Sequence, residues 1–316
     1  MSVATRTKNR NQEQRRKQIH QLLTNWQLYA MLLIPLAFLI LFSYVPMYGV
    51  QIAFKDFNAV DGITGSEWAG LKYFEKFFTD YQCLRVIWNT LRISVYSLLA
   101  SFPTAIIFAL CINYLQFNRY RKVVQTVVYA PYLISTVVMV TIILQFFSSN
   151  GIMTNLLNAL TGSEQDYMAS APLFDDIYVW TGIWQSTGFN SIIYIATLVG
   201  VDPEMHEAAI VDGASKWKRM VYIDLPSLMP TAVKLLILNV GQVLNIGYEK
   251  VLLMQNPLNL SSSEVISTYV YKVGLTSTIP QYSYSTAIGL FQSAIGMVLL
   301  IAVNAIANRI NDSGLW

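Results

Sequence analysis

The stretch from Leu28 to Val50 reads LYAMLLIPLAFLILFSYVPMYGV and contains no Asp, Glu, Lys or Arg. A helix needs about 20 apolar residues to cross the hydrocarbon core of a bilayer, and this stretch is long enough. It exceeds the usual apolar region of a cleaved signal peptide and has no clear cleavage site formed by small residues. We therefore interpret it as a first membrane span that the chain retains.

The rest of the chain contains five more apolar stretches of similar length. The six predicted spans are residues 28–50, 89–114, 123–147, 177–200, 230–254 and 284–308. Backbone polar groups need internal partners inside a bilayer, and the stretches are too long and too weakly alternating for barrel strands. The composition agrees, with 54% hydrophobic and only 12% charged residues. The sequence therefore predicts an all-α polytopic membrane protein, in which residues 28–316 form one domain of six transmembrane helices.

Basic residues are distributed unevenly along the chain. Those crowded into the predicted tail, residues 1–27, are Arg6, Lys8, Arg10, Arg15, Arg16 and Lys17. Further basic residues follow predicted spans two, four and six, whereas residues 148–176 contain acids but no Lys or Arg. Because cytoplasmic segments carry an excess of Lys and Arg, we expect both termini to be cytoplasmic. The net charge of +3 is too small to suggest nucleic-acid binding.

The segment between predicted spans four and five has the pattern of two short helices. Residues 203–226 read PEMHEAAIVDGASKWKRMVYIDLP. A proline at the start, acids in the first turn and a glycine break predict one helix that ends near Gly213. A second short helix is expected over residues 216–222, ending before Pro226. We refer to this segment as the 203–226 loop.

The spacing within the 203–226 loop resembles the EAA loop of binding-protein-dependent ABC importer permeases. The matching positions are Glu207, Ala208, Ala209, Gly213, Ile223, Leu225 and Pro226. The resemblance implies that this loop docks into a cleft on a separate ATPase subunit and couples it to the spans. Small alanines permit close approach, and Glu207 is suited to pair with a basic group. An ordinary amphipathic loop is the alternative interpretation.

The C-terminal third resembles a narrower group, the LplB-like permeases of the carbohydrate uptake class, which are maltose-type or type I importers. The similar segments are residues 248–257, 264–275 and 282–293. This resemblance implies import of oligosaccharides or modified sugars into a bacterial cell. It also implies a homologous second permease subunit, two ATPase subunits that hold ATP and Mg²⁺, and an extracytoplasmic solute-binding protein. The chain itself has no Gly-x-x-x-x-Gly-Lys-Ser/Thr phosphate loop, and no cofactor or metal site is predicted in it.

Polar residues inside the predicted spans are candidates for the sugar pathway, because such residues usually face the bundle interior or a wet cavity. The candidates are Trp184, Asn190, Tyr194, Asn239, Gln242, Asn245 and Glu249. Four of them, from Asn239 to Glu249, would share one face of a continuous helix. One interpretation of the adjacent charge pair has Glu249 turned inward and Lys250 extended outward, and a simple external helix end is the alternative. Hydrogen bonding between helices is the alternative for the amides, and packing is the alternative for Trp184.

Two other functions remain compatible with these patterns. One is an ABC importer permease for another solute, such as a peptide or phosphate. The other is a secondary transporter or channel that needs no ATPase. No nucleophile and base are placed together in a way that indicates catalysis, so we expect a transporter subunit and not an enzyme.

Overall fold

The computed structural model describes residues 24–162 and 164–311, with side chains as far as Arg309. Most of the predicted basic tail, residues 1–27, therefore lies outside the described residues. The chain divides into two compact units, with the boundary between Trp68 and Ala69.

The first unit consists mainly of one long helical segment. It begins as α1 (Trp26–Leu39) and continues through a π turn (Ile40–Tyr44) and a 3₁₀ segment (Val45–Phe54). The short strands β1 (Lys55–Asp56) and β2 (Glu67–Trp68) pair antiparallel, and α2 (Gly62–Gly65) lies between them. The apolar side chains of α1 are exposed, as expected for a helix surrounded by lipid.

The second unit is helical throughout its regular structure. Its first helices are α3 (Lys72–Thr79), α4 (Cys83–Asn113), α5 (Asn118–Tyr129), α6 (Thr136–Phe147), α7 (Ile152–Thr161) and α8 (Phe174–Val199). Then follow α9 (Pro203–Val211), α10 (Lys216–Arg219), α11 (Leu225–Gly241), α12 (Tyr248–Met254), α13 (Leu260–Ser263), α14 (Ile266–Tyr271) and α15 (Tyr282–Asn311). Short 3₁₀ turns occupy Ala130–Leu133 and Ala171–Leu173, and π turns occupy Met220–Asp224 and Lys272–Thr276.

Helices α4 and α8 pack together along their lengths and form the centre of the second unit. An apolar cluster at one end joins them to α11 through residues such as Ala109, Leu198 and Leu228. At the other end, the Arg92 guanidinium of α4 pairs with the Asp175 carboxylate of α8 at 2.5 Å. These contacts fix the two helices that carry most of the cavity lining described below.

The all-helical membrane fold is confirmed, but the spans differ in detail from the prediction. Among the described residues, four helical segments are long and apolar enough to cross a membrane, or five if one bent pair forms a single span. The four are Trp26–Phe54, Cys83–Asn113, Lys216–Gly241 and Tyr282–Arg309. The predicted fourth span, residues 177–200, lies in α8, which is helical but more polar. The count of six remains a prediction.

The predicted third span, residues 123–147, is not a straight helix. Helix α5 with its 3₁₀ extension and helix α6 meet at an angle of 98°. Pro131 is the second residue of the 3₁₀ extension, and the Ser135 hydroxyl then caps α6 by accepting a hydrogen bond from the Val138 amide. The chain bends here because proline cannot continue the regular hydrogen bonding and serine starts a new helix.

The predicted fifth span, residues 230–254, is also wrong in its boundaries. The helical segment begins at Lys216 and ends at Gly241, and a non-helical stretch separates it from α12. The side chain of Gln292 on α15 donates to the Leu244 carbonyl at 2.7 Å within this stretch. Irregular backbone is tolerated at membrane depth when such a partner satisfies its polar groups.

Candidate functional site

Helix α9, which begins the 203–226 loop, is defined at both ends by local chemistry. The Asp202 carboxylate accepts a hydrogen bond from the Glu204 amide at 3.0 Å, and Pro203 occupies the first turn. At the other end Gly213 adopts a φ of 74°, and the Ala214 amide bonds to the Ala209 carbonyl at 2.8 Å. Only glycine adopts this left-handed conformation easily, so the predicted turn at Gly213 is confirmed.

The solvent-exposed side of α9 carries the acidic residue and the small residues of the predicted docking motif. Glu207 and Ala208 are exposed, and Ala209 is half-buried. Ile210 and Val211 add exposed apolar surface, with 55% and 87% of each residue accessible. The exposed side of α9 therefore combines one carboxylate with small and apolar side chains.

The second half of the 203–226 loop does not form a separate short helix. Helix α10 begins at the Ser215 cap and continues without interruption through the π turn into α11. Proline removes one helical hydrogen bond, which agrees with the irregular π turn directly before Leu225 and Pro226. Ile223 and Leu225 are half-buried, and Leu225 packs on the apolar cluster of α4, α8 and α11.

Sequence reasoning missed one residue of this loop, Asp224. Its side chain is fully buried, and the Tyr114 hydroxyl donates a hydrogen bond to its Oδ2 atom at 2.6 Å. Burial and this hydrogen bond raise the pKa of Tyr114, so the phenol keeps its proton and remains the donor. The signal in the sequence was an acid inside an otherwise apolar stretch before Leu225.

Two adjoining cavities are lined by residues of α4, α8 and α11 and, in the second, also by the residues that follow α11. The first has a volume of about 350 Å³ and is lined by Phe102, Phe189, Asn190, Tyr194 and Asn239, among others. The rings of Phe102 and Tyr194 meet edge to face, with their centroids 6.4 Å apart. The first cavity therefore combines aromatic rings with two amide side chains.

The second cavity has a volume of about 260 Å³ and is more polar. Its lining includes Tyr178, Asn239, Gln242 and Asn245. Ser101 and Asn239 line both cavities, which makes the two spaces neighbours. The Asn245 amide donates to the Gln242 side-chain oxygen at 2.8 Å. Three of the predicted amides thus reach one cavity, although the helix that was expected to align them ends at Gly241.

Three serines of α4 complete the polar lining, and the sequence analysis did not identify them. Ser94, Ser97 and Ser101 all line the second cavity. Their spacing of three and four residues places them on one face of a helix. That spacing is visible in the sequence, but serine is common in membrane helices for packing reasons, so the spacing alone does not indicate a cavity.

Two predicted pathway residues lie elsewhere. Trp184 lines a separate cavity of about 360 Å³ whose other walls are mainly apolar, including Met139 and Phe146. Glu249 is exposed and lines none of these three cavities.

The orientation expected for the neighbouring charge pair was wrong. Lys250 is buried, and its Nζ atom donates to the Tyr178 carbonyl at 2.8 Å and to the Thr181 hydroxyl at 3.0 Å. The two acceptors on α8 satisfy the Lys250 ammonium group, which allows it to be buried.

Comparison with known proteins gives consistent matches over nearly the whole chain. The chain is 40% identical to protein LplB of Bacillus subtilis (strain 168), over 92% of this chain and 91% of that protein. It is 36% identical to the polygalacturonan/rhamnogalacturonan transport system permease protein YteP of the same organism, over 96% and 94% of the two chains.

A solved structure matches equally broadly. It is the crystal structure of a bacterial alginate ABC transporter in complex with an alginate pentasaccharide-bound periplasmic protein, and one of its chains has 35% sequence identity. The TM-score is 0.84, and the match covers 94% of this chain and 99% of that chain. Residues 101–312, which include the whole 203–226 loop, match the family described as binding-protein-dependent transport system inner membrane component. The chain belongs to this family and is a multi-pass membrane permease subunit of an ABC importer, not an enzyme.

Proposed function

We propose that this permease imports oligosaccharides or modified sugars by alternating access, driven by ATP hydrolysis on separate subunits through the 203–226 loop. One observation carries the proposal. The helix that starts at Lys216, directly after α9 and its turn, is continuous to Gly241 and holds Asn239 at its far end. Only the short turn of residues 212–215 separates α9 from this helix, so a displacement of α9 can be passed to a wall of both cavities.

The proposed coupling starts at the exposed face of α9. Glu207 would pair with a basic group of an ATPase subunit, while Ala208 and Ala209 allow the two backbones to approach closely. When ATP draws two ATPase subunits together, the bound loop follows. The continuous helix then shifts Asn239 relative to α4 and α8, which opens the cavity to one side of the membrane. Hydrolysis restores the first arrangement.

The cavity lining supports a sugar as substrate. Hydroxyl and amide groups of Ser97, Asn239 and Gln242 can exchange hydrogen bonds with sugar hydroxyls. Aromatic rings in the first cavity can cover the apolar faces of sugar rings. Two of the similar proteins are named for polysaccharides, namely polygalacturonan or rhamnogalacturonan and alginate.

The proposed assembly has the loop in the cytoplasm and both termini on the same side of the bacterial cell membrane. It contains a homologous second permease, two ATPase subunits with ATP and Mg²⁺, and an extracytoplasmic solute-binding protein. The matching alginate transporter was crystallised with its periplasmic sugar-bound protein, which supports the last partner. The second permease would contribute the other half of the pathway.

Reconstitution into proteoliposomes tests this function. Vesicles would contain the chain with its partner permease, the ATPase subunits and the binding protein, and import of a labelled oligosaccharide mixture would be measured. We expect import only with hydrolysable ATP, and competition by unlabelled oligosaccharides but not by peptides or phosphate. Import without the ATPase subunits would indicate a secondary transporter, and competition by peptide or phosphate alone would indicate another solute.

A further inference from the structure

Asp224 places a negative charge where the fold gives it little solvation. It ends the π turn Met220–Asp224, just before α11, and none of its surface is accessible. Burying a carboxylate is unfavourable unless opposite charge or hydrogen bonds compensate it. An apolar residue of similar size would fill the same space without that penalty, so the carboxylate calls for a specific explanation.

The contacts of Asp224 join three elements that are separate in sequence. Its Oδ2 atom accepts the hydrogen bond from Tyr114, which directly follows α4. Its Oδ1 atom lies 3.2 Å from Nε2 of His206, which belongs to α9. Asp224 itself leads into α11. The carboxylate therefore bridges the proposed docking helix and two helices of the cavity wall.

His206 and Glu207 face different surroundings, although they are neighbours on α9. Glu207 is exposed, whereas the neighbouring His206 side chain is only 22% exposed and points toward Asp224. A force applied to Glu207 thus acts on a helix that contacts the buried carboxylate through the neighbouring residue.

The two oxygens of the Asp224 carboxylate have different surroundings. The Oδ1 atom lies 3.2 Å from Nε2 of His206 and makes no hydrogen bond among the described residues. The His206 imidazole is therefore the polar group placed to compensate the burial of Oδ1. Arg219, the last residue of α10, acts electrostatically on Tyr114, the hydrogen-bond donor to Oδ2.

We propose that Asp224 is a positioning residue, which ties α9 to α4 through His206 and Tyr114. A movement of the docked loop then displaces α4 and α11 together. This inference rests on the proposed docking role of Glu207. Apolar packing could hold the same elements in place, but it is non-directional and would let α9 slide relative to α4. A shared carboxylate fixes their orientation.

The test measures transport and ATP hydrolysis separately in the reconstituted complex. Asp224→Asn keeps the size of the side chain and removes its charge, Tyr114→Phe removes one hydrogen bond, and His206→Gln removes the imidazole that faces Oδ1. Asp61→Asn, the same chemical change at an exposed carboxylate, is the matched control. Glu207→Lys is measured in parallel. Co-purification of the ATPase subunits reports assembly for every variant.

We expect Asp224→Asn to assemble and hydrolyse ATP while the number of sugars imported per ATP falls about tenfold, the order expected for a hydrogen bond to a buried charge. Tyr114→Phe and His206→Gln should give smaller reductions of the same ratio. The double variant Tyr114→Phe with Asp224→Asn should be no worse than Asp224→Asn alone, since both remove one shared contact. A role in folding alone would lower import and hydrolysis equally.

Two outcomes overturn the inference. One is an unchanged import-to-hydrolysis ratio in Asp224→Asn beside a defective Glu207→Lys, which would leave the docking proposal intact. The other, decisive if Asp224→Asn fails to assemble, is an unchanged ratio in both Tyr114→Phe and His206→Gln. Normal import by Glu207→Lys would instead refute the docking proposal itself.

Discussion

The 203–226 loop and the two cavities differ in what holds their functional residues in place. In the loop, caps and turns within a few residues fix the geometry, such as the Asp202 cap and the left-handed Gly213. In the cavities, neighbouring groups such as Ser97 and Gln242 come from helices far apart in sequence. The loop is therefore a local device, whereas the cavity exists only when the helices pack correctly.

This difference separates the expected effects of substitutions. A change on the exposed side of the loop should alter energy coupling and leave sugar recognition untouched. A change in the cavity lining should alter sugar affinity and leave ATPase docking untouched. Buried residues that space the helices should affect the cavity through the stability of the fold. The following substitutions test each part of this separation.

The largest effect is expected for Glu207→Lys. Reversing the charge at the docking contact should lower ATP-driven import by about 100-fold or more, because disrupting a buried charge pair typically costs about 2–5 kcal/mol. The chain should still insert into the membrane and bind its partner permease. Initial import rates in proteoliposomes check this, with Asp61→Lys as a charge-reversal control at an exposed position. Equal import by the two variants would contradict the role of Glu207.

The next largest effect is expected for Gly188→Ala, which tests the helix spacing. A Cβ at Gly188 would collide with the carbonyl oxygen of Val128, so α8 would have to move away from α5. We expect a loss of about 2 kcal/mol in the stability of the chain, as is typical of overpacking. Gly289→Ala is the control, because nothing lies within 4 Å of its added Cβ. Thermal unfolding in detergent measures both, and equal midpoints would show that this packing is not tight.

A moderate effect is expected for Asn239→Ala, which removes an amide that lines both cavities. The apparent KM for the sugar should rise about tenfold, the order expected when one or two hydrogen bonds to the substrate are lost. Binding of the ATPase subunits should be unchanged. Asn155→Ala, at an exposed asparagine of α7, provides the control. A normal KM would indicate that the amide serves only helix packing.

The smallest effect is expected for Trp184→Leu. This side chain borders an apolar cavity apart from the polar lining, so sugar affinity should change by less than about twofold. The same import assay measures it. A KM increase comparable to that of Asn239→Ala would place Trp184 on the pathway, and the division between the cavities would then be wrong.

How much the sequence could predict follows the same division between local and distant contacts. The Gly213 turn and the first loop helix follow from nearby residues, so they were predictable from Pro203 onward. The break after Gly241 was not, because it depends on distant partners. The Leu300 side chain occupies the space where a Cβ of Gly241 would be, and Gln292 satisfies the Leu244 carbonyl. Leu300 and Gln292 are both about 50 residues or more from Gly241 in sequence, so the residues around position 241 do not reveal these contacts.

The inward orientation of Lys250 shows the same limit. Its acceptors, the Tyr178 carbonyl and the Thr181 hydroxyl, belong to α8 and are distant in sequence. A lysine near a predicted span end is normally expected to extend toward water, and only tertiary packing reverses that expectation here. Asp224 was missed for the same reason, because Tyr114 lies far from it in the chain.

Site-directed cross-linking tests the central claim most directly. A cysteine would replace Ala208 in a chain whose own thiols, Cys83 and Cys111, have been substituted, and a short thiol-to-amine reagent would be applied to native membranes. A cysteine replacing the exposed Leu160 serves as the control. The account predicts that position 208 becomes linked to an ATPase subunit and position 160 does not. No link at position 208, together with labelling of that cysteine from outside intact cells, would contradict it.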